Sequence, residues 1–261
     1  MDLLERYQRG QHAQVWHELG SLKMAELTPE IEAEAWAVAR ETMRRARHNV
    51  ELLYERLNEI GFEFLAPQQP ENQREMTRFG EIVYTYQVFT PPLAGDTQRY
   101  LAIAETVFGR MPFSLVAWYE LVGSVSWMGD HPRLCGYRLG IPDVGGADWV
   151  VADPLCVYPL SYALIEYDSF ALRANRRPTD RFVFPLSPDA RLKHRLEGDD
   201  YEGVVVPAET VDPLFTLTGK PFVEYLRLSF SWGGFPGWRN YPASARPRKQ
   251  LEYLSSGLLP L

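Results

Sequence analysis

The chain has 261 residues, 46% of them hydrophobic and 13% aromatic, with 27 Lys or Arg against 34 Asp or Glu for a net charge of −7. That composition belongs to a folded domain rather than a disordered chain, and the acidic balance argues against a nucleic-acid-binding domain, whose affinity rests on neutralising phosphates. Cys135 and Cys156 are the only cysteines, too few for a disulfide scaffold or a CxxC zinc pair, and neither a secretory leader nor an apolar run of ~20 residues is present, so a cytoplasmic protein without membrane segment or cofactor is expected.

Residues 1–27 read as a short amphipathic helix plus a connector, with Leu3, Leu4, Tyr7, Val15, Trp16 and Leu19 apolar and Gly20 placed as a C-cap. The clearest helix follows. Thr28 is its N-cap, Pro29 its first residue, and Glu30, Glu32 and Glu34 put negative charge near its N-terminus. Ile31, Ala35, Ala39, Met43, Ala46, Val50, Leu53, Leu57 and Ile60 recur at spacings of three and four, up to Gly61. At 1.5 Å per residue this helix is roughly 45–50 Å long. It must bend, cross the domain, or pair with a second copy, which makes a homodimer joined through residues 29–60 one reading of the chain.

Phe62 to Leu65 is a short strand candidate, 66–75 a polar loop, and Glu81 to Phe89 a strand rich in β-branched and aromatic residues. Pro91-Pro92 stops it. Two helices follow, one from Asp96 to Gly109 and one from Pro112 to Gly123. After residue 124 the pattern changes to short strands at 124–127, 148–151, 162–166, 181–184 and 204–206, separated by Gly, Pro, Asn and Asp. Lys220 to Phe230 reads as a helix, and 233–249 as a Gly/Pro-rich, mildly basic tail. Long helical connectors between the late strands are mostly missing. This favours α+β with an antiparallel sheet over a doubly wound parallel one.

No catalytic motif stands out. His12 and His17 lie five apart, off the i, i+4 spacing of helical metal ligands. His48 follows Arg44, Arg45 and Arg47, an anion patch or a solvated face balanced by Glu41 and Glu51. Asp130-His131 precedes Cys135 by a few residues, but a thiol nucleophile needs a base within hydrogen-bond reach, which proximity in sequence does not supply. Asp143, Asp148 and Asp153 lack EF-hand spacing, and Asp189, His194, Asp199 and Asp200 suit turns. Gly145-Gly146 is no phosphate loop. The most distinctive segment is Trp232-Gly233-Gly234-Phe235-Pro236-Gly237-Trp238. Its glycines permit a sharp reversal that folds Trp232, Phe235 and Trp238 onto the core. Alternatively those rings, with Asp148 and Trp149 of the β region, present an aromatic and acidic face to a partner.

The stretch Glu105 to Gly123, with its helix, Gly109, the Met111-Pro112 step and the Trp118-Tyr119 pair, resembles the signature of the SMI1/KNR4 (SUKH) superfamily. Met111 replaces the usual Leu, and Val122 stands where a polar residue is usual. Asp153 to Leu160 is similar to a proline-flanked strand of that family, and the GGFPG segment resembles large bacterial members. The resemblance spans roughly 100–240. It implies an α+β fold with a curved, mainly antiparallel sheet and packed helices, here at 96–261, behind an N-terminal helical extension at 1–95. It also implies a non-enzymatic protein-binding module, many bacterial examples of which look like immunity proteins that neutralise toxins, and it supplies no catalytic residues. The competing reading is an α+β hydrolase built on the Asp/His groups, recognisable by a pocket that brings His131 or His194 together with two carboxylates.

Overall fold

The computed structural model describes residues 2–69, 71–135, 151–173, 175, 177, 181–194 and 201–261. Their architecture is α+β, with helices packed around short antiparallel sheets. Helices α1 (Leu3–Gln8) and α2 (His12–Ser21) open the chain and bury Leu3, Tyr7, Val15, Trp16 and Leu19. Gly20 sits inside α2 rather than beyond its end, and the extended Leu22 stops the helix. Helix α3 (Pro29–Glu59) begins as expected, with the Thr28 hydroxyl accepting from the Ile31 N–H. Its 31 residues span roughly 46 Å.

The apolar stripe of α3 is consumed within the chain. Ala35, Val38, Ala39, Met43, Ala46, Val50, Leu53 and Leu57 are all buried. Contacts come from α1, from the middle of the chain through the Trp36–Phe113 stack at 4.2 Å, and from the C-terminal segment. Asn49 and Leu259 exchange reciprocal hydrogen bonds of 2.8 and 2.7 Å, and the Arg56 guanidinium reaches the Leu254 carbonyl at 3.0 Å. The stripe from Ala35 to Leu57 is therefore core. The first 95 residues and the remainder contribute to one continuous hydrophobic cluster.

Strand β1 (Glu63–Phe64) is followed by a hairpin, β2 (Glu71–Thr77) and β3 (Gly80–Tyr86), paired from Glu71↔Tyr86 to Thr77↔Gly80. Residues 71–75 are thus strand, not loop. Nearly all of β2 is exposed, so its sequence carries no apolar alternation, and pairing rather than burial holds it. Next come β4 (Phe89–Thr90), α4 (Ala94–Phe108) and α5 (Phe113–Leu121), then β5 (Ser124–Ser126), β6 (Gly129–Asp130) and β7 (Cys156–Val157). Residues 162–166, expected as a strand, lie in helix α6 (Leu160–Ala171). Leu160, Ala163 and Leu164 supply a helical apolar face there, and Pro159 sits at its N-cap. Strands β8 (Val183–Pro188) and β9 (Tyr201–Val205), helix α7 (Phe222–Ser231) and helix α8 (Arg248–Ser255) complete the order. Helix α8 starts at the end of the 233–249 stretch expected as a tail and runs on to Ser255, a segment to which the sequence reading assigned no element; only Leu251 and Leu254 mark its buried face.

In place of one curved sheet, the described strands form four small antiparallel ones, β1–β6, β2–β3, β4–β5–β7 and β8–β9. A backbone bond from Tyr158 N to Leu186 O (2.7 Å) ties the β4–β5–β7 sheet to β8, and one from Leu65 N to Met128 O (2.8 Å) continues the β1–β6 ladder. Prolines explain the breaks. Pro92, Pro159, Pro185 and Pro188 stand in or beside the strands and have no N–H to donate, and the β8–β9 register shifts between Pro185 and Ser187. No helix among the described residues is long and apolar enough to cross a membrane.

Candidate functional site

The β2–β3 hairpin borders a cleft. Its register places Ile82 and Tyr84 on one face and Val83 and Thr85 on the other. Ile82 is buried, and Tyr84 meets Tyr162 of α6 at 5.9 Å. The β3 edge turned away from β2 is sealed by α4. The Val83 N–H donates to the Tyr100 hydroxyl at 2.8 Å, and the Arg99 guanidinium donates to the Glu81 carbonyl at 2.9 Å. Past Val83 the seal ends, and two cavities of about 170 and 310 Å3 open on either side of Thr85. Thr85, Ser124 and Pro159 border both.

Phenols dominate the walls. Tyr100 and Tyr119 line the smaller cavity, and Tyr84 and Tyr158 the larger. Tyr162 braces the latter pair, 4.7 Å from Tyr158. Burial pushes Tyr158 and Tyr162 well above the ordinary phenol range, and nearby Glu166 pushes both further the same way. Burial alone does the same to Tyr119, whose hydroxyl donates to the Tyr158 carbonyl at 3.3 Å. These rings stay neutral at physiological pH and offer apolar faces with hydroxyl tips.

Behind the larger cavity lies a buried charge. Lys193 is 2% exposed, and its ammonium donates to Asp153 Oδ1 at 2.6 Å and to the Tyr225 hydroxyl at 3.3 Å. Burial alone would lower this lysine; Asp153, with Tyr225 and Cys156, overrides burial and holds it above the usual range. Asp153 itself has a left-handed backbone, φ 52°, so the ion pair fixes an unfavourable turn. Cys156 is pushed up to about 11 by burial, which outweighs the opposing pull of Lys193. It is a protonated wall atom, not a nucleophile. The arrangement offers aromatic surface and hydroxyl donors beside a buried ion pair.

The candidates read from the sequence fall elsewhere. Phe235 and Trp238 are core residues, and the Trp238 indole donates to the Leu134 carbonyl at 2.8 Å. Gly234 has φ 93°, and a Cβ there would stand 2.6 Å from the Trp127 ring. The segment therefore folds back on the core, and in this arrangement Phe235 and Trp238 present no surface to a partner. Trp232 is half-buried, capped by the Arg246 guanidinium 4.8 Å from its ring centre. Asp143, Gly145, Gly146, Asp148, Trp149, Asp199, Asp200 and the side chain of His194 lie outside the described residues.

His131 and Cys135 close a tight turn through their main chains, at 2.7 and 3.3 Å. The His131 Nδ1 accepts from the Arg133 N–H at 3.1 Å, and the Cys135 thiol, pushed up by burial, points to the Gly129 carbonyl at 3.4 Å. This is not a nucleophile–base pair. Asp189 caps a turn, accepting from Arg191 and Leu192 N–H groups at 2.6 and 2.9 Å. Arg44 and Arg45 pair with Glu41, and Arg47 with Glu51, so that run is a balanced helix face. His12 leans on Arg45 at 2.8 Å while His17 is exposed. Among the described residues no group of three His, Cys, Asp or Glu side chains is placed to hold a metal.

The sequence reading missed Tyr84, Tyr158, Tyr162 and Lys193. A clustering of Tyr at 84–86 and 158–167 was visible, but about seventy residues separate the two runs. No family model matches the chain, and neither does any curated protein or solved structure.

Proposed function

We propose that this chain is a non-catalytic binding protein that receives a segment of another protein in the tyrosine-walled cleft beside the β2–β3 hairpin. The observation behind this reading is the convergence of neutral phenols from β3, α4, α5 and the β7–α6 turn on two adjoining cavities. Tyrosine gives large contact area at low entropic cost, and it is enriched at interface hot spots. Asn72 of the exposed β2 strand borders the smaller cavity. A net charge of −7 steers a basic partner towards the chain. In the immunity version of this reading, which the SUKH resemblance suggests, the partner is a toxin and binding covers its active site in the cytoplasm.

The test is a pull-down with the product of the neighbouring gene, followed by affinity measurement on the purified pair. Tyr84→Ala is expected to weaken binding about 10-fold or more, and Trp232→Ala about twofold or less. Absence of a retained partner, or equal effects of the two substitutions, overturns the assignment of the cleft.

A further inference from the structure

Away from the hairpin, the C-terminal end of α4, helix α6 and the β8–β9 pair enclose a half-open groove of about 470 Å3. Its walls are aromatic. Phe108 and Phe182 stack 5.3 Å apart with planes 6° from parallel, and Tyr167 stands edge-on to both, at 5.1 and 5.2 Å. Phe170 completes the wall 5.4 Å from Phe182. Gly109, with φ 75°, packs against the Pro207 wall of the groove, where a Cβ would lie 3.1 Å from the Pro207 ring. The charged residues bordering the groove are Arg181 and Glu209, both exposed. Among the described residues no ion pair engages Arg181. Arg173 adds a second cation nearby, its guanidinium 5.7 Å from the Phe170 ring centre. A locally basic mouth thus opens on an aromatic slot in a chain of net charge −7.

We propose that this groove is a binding site for a small monocarboxylic acid with an aromatic or aliphatic body. The slot has the volume of a small-molecule site, which typically runs from about 300 to 1,000 Å3. The body packs against the part-exposed lining residues Val107, Tyr167, Phe170 and Pro207, which the buried Phe108–Phe182 stack backs, and Arg181 receives the carboxylate through its paired N–H donors. Glu209 on the same rim disfavours a second carboxylate, so the site selects monoanions. A neutral ligand of the same shape leaves Arg181 without its partner and binds more weakly.

Calorimetric titration of the full chain with 4-phenylbutyrate, and separately with 4-phenylbutan-1-ol, tests this. The acid is expected to bind about 10-fold or more tightly than the alcohol. Arg181→Gln, at an exposed position, should bring the acid down to the alcohol's affinity, and Arg181→Lys should recover part of the loss. Val107→Trp, which fills the slot, should abolish both while the circular dichroism spectrum stays unchanged. Equal affinities for acid and alcohol, an Arg181→Gln protein that binds as the wild type does, or no heat of binding up to millimolar acid would each overturn the proposal. If Val107→Trp disturbs the spectrum, the Arg181 pair decides the matter alone.

Discussion

Replacing Asp212 with Asn removes a buried carboxyl group on which two helix N-termini converge. Ser114, in the first turn of α5, donates its hydroxyl to Asp212 Oδ1 at 2.7 Å. The Val223 N–H, in the first turn of α7, donates to both oxygens at 3.3 and 3.2 Å. The side chain is 3% exposed, and burial outweighs these hydrogen bonds, pushing the carboxyl up to about 7 from an ordinary 3.8. A group raised on folding stabilises the protein fully below its unfolded value and loses that contribution as pH climbs through its folded value. A rise from 3.8 to about 7 is worth about 4 kcal/mol. Wild type minus D212N stability, from urea unfolding followed by tryptophan fluorescence, should therefore fall by about 4 kcal/mol between roughly pH 4 and pH 8. At the acid end, where Asp212 is protonated, the two proteins should be close in stability, because the amide oxygen can accept from the Val223 N–H and the amide nitrogen can donate to the Ser114 hydroxyl. The comparison isolates position 212, since every other titrating group is common to both proteins. A stability difference that stays constant across this range would refute the reasoning and mean that the carboxyl titrates as an exposed one does.

Other outcomes follow from equally local features. Asp153→Asn leaves the Lys193 ammonium buried without its carboxylate and should cost about 3 kcal/mol or more in urea unfolding; the double variant with Lys193→Met should recover part of that, and no recovery would refute the ion pair as the cause. Gly237→Ala would put a Cβ 2.0 Å from the Val151 carbonyl oxygen, so Tm should drop by ten degrees or more, on the order of 3 kcal/mol of overpacking. Gly20→Ala lies in a helix with open space around it and should raise stability by about 0.5–1 kcal/mol; a loss would contradict its helical placement. Both thiols are buried, with Cys156 pushed up to about 11, so a disulfide reagent at neutral pH should label neither until the chain is unfolded.

Local chemistry made much of the helical framework legible. Thr28, Pro29 and the early glutamates mark the start of α3, the three-and-four spacing from Ile31 to Ile60 marks its buried face, and Gly61, with φ 75°, marks its stop. Gly109 and Gly123 end α4 and α5 for the same reason, with φ 75° and 98°. Strands expected at 124–127, 181–184 and 204–206, from β-branched residues between turn formers, overlap β5, β8 and β9 at 124–126, 183–188 and 201–205, though most of β8 and β9 lies outside those stretches. Where a segment's state depends on distant residues, the local signal failed. Tyr162 to Glu166 carries β-forming residues yet is helical, because α6 packs Leu160, Ala163 and Leu164 beneath the hairpin and β8. Glu71 to Thr77 carries almost none yet is a strand, because β3 supplies its hydrogen bonds.

The sequence by itself determined that this is an α+β chain with one long amphipathic helix, because caps and periodicities act over a few residues. Only the tertiary structure decided where the recognition surfaces lie. It spent Phe235 and Trp238 on the core through the left-handed turn at Gly234 and the close approach of Gly237 to the Val151 carbonyl. It set Tyr84 beside Tyr162 and Lys193 against Asp153 across separations of 78 and 40 residues. Such contacts follow from how helices and strands pack, and one-dimensional spacing carries no record of them.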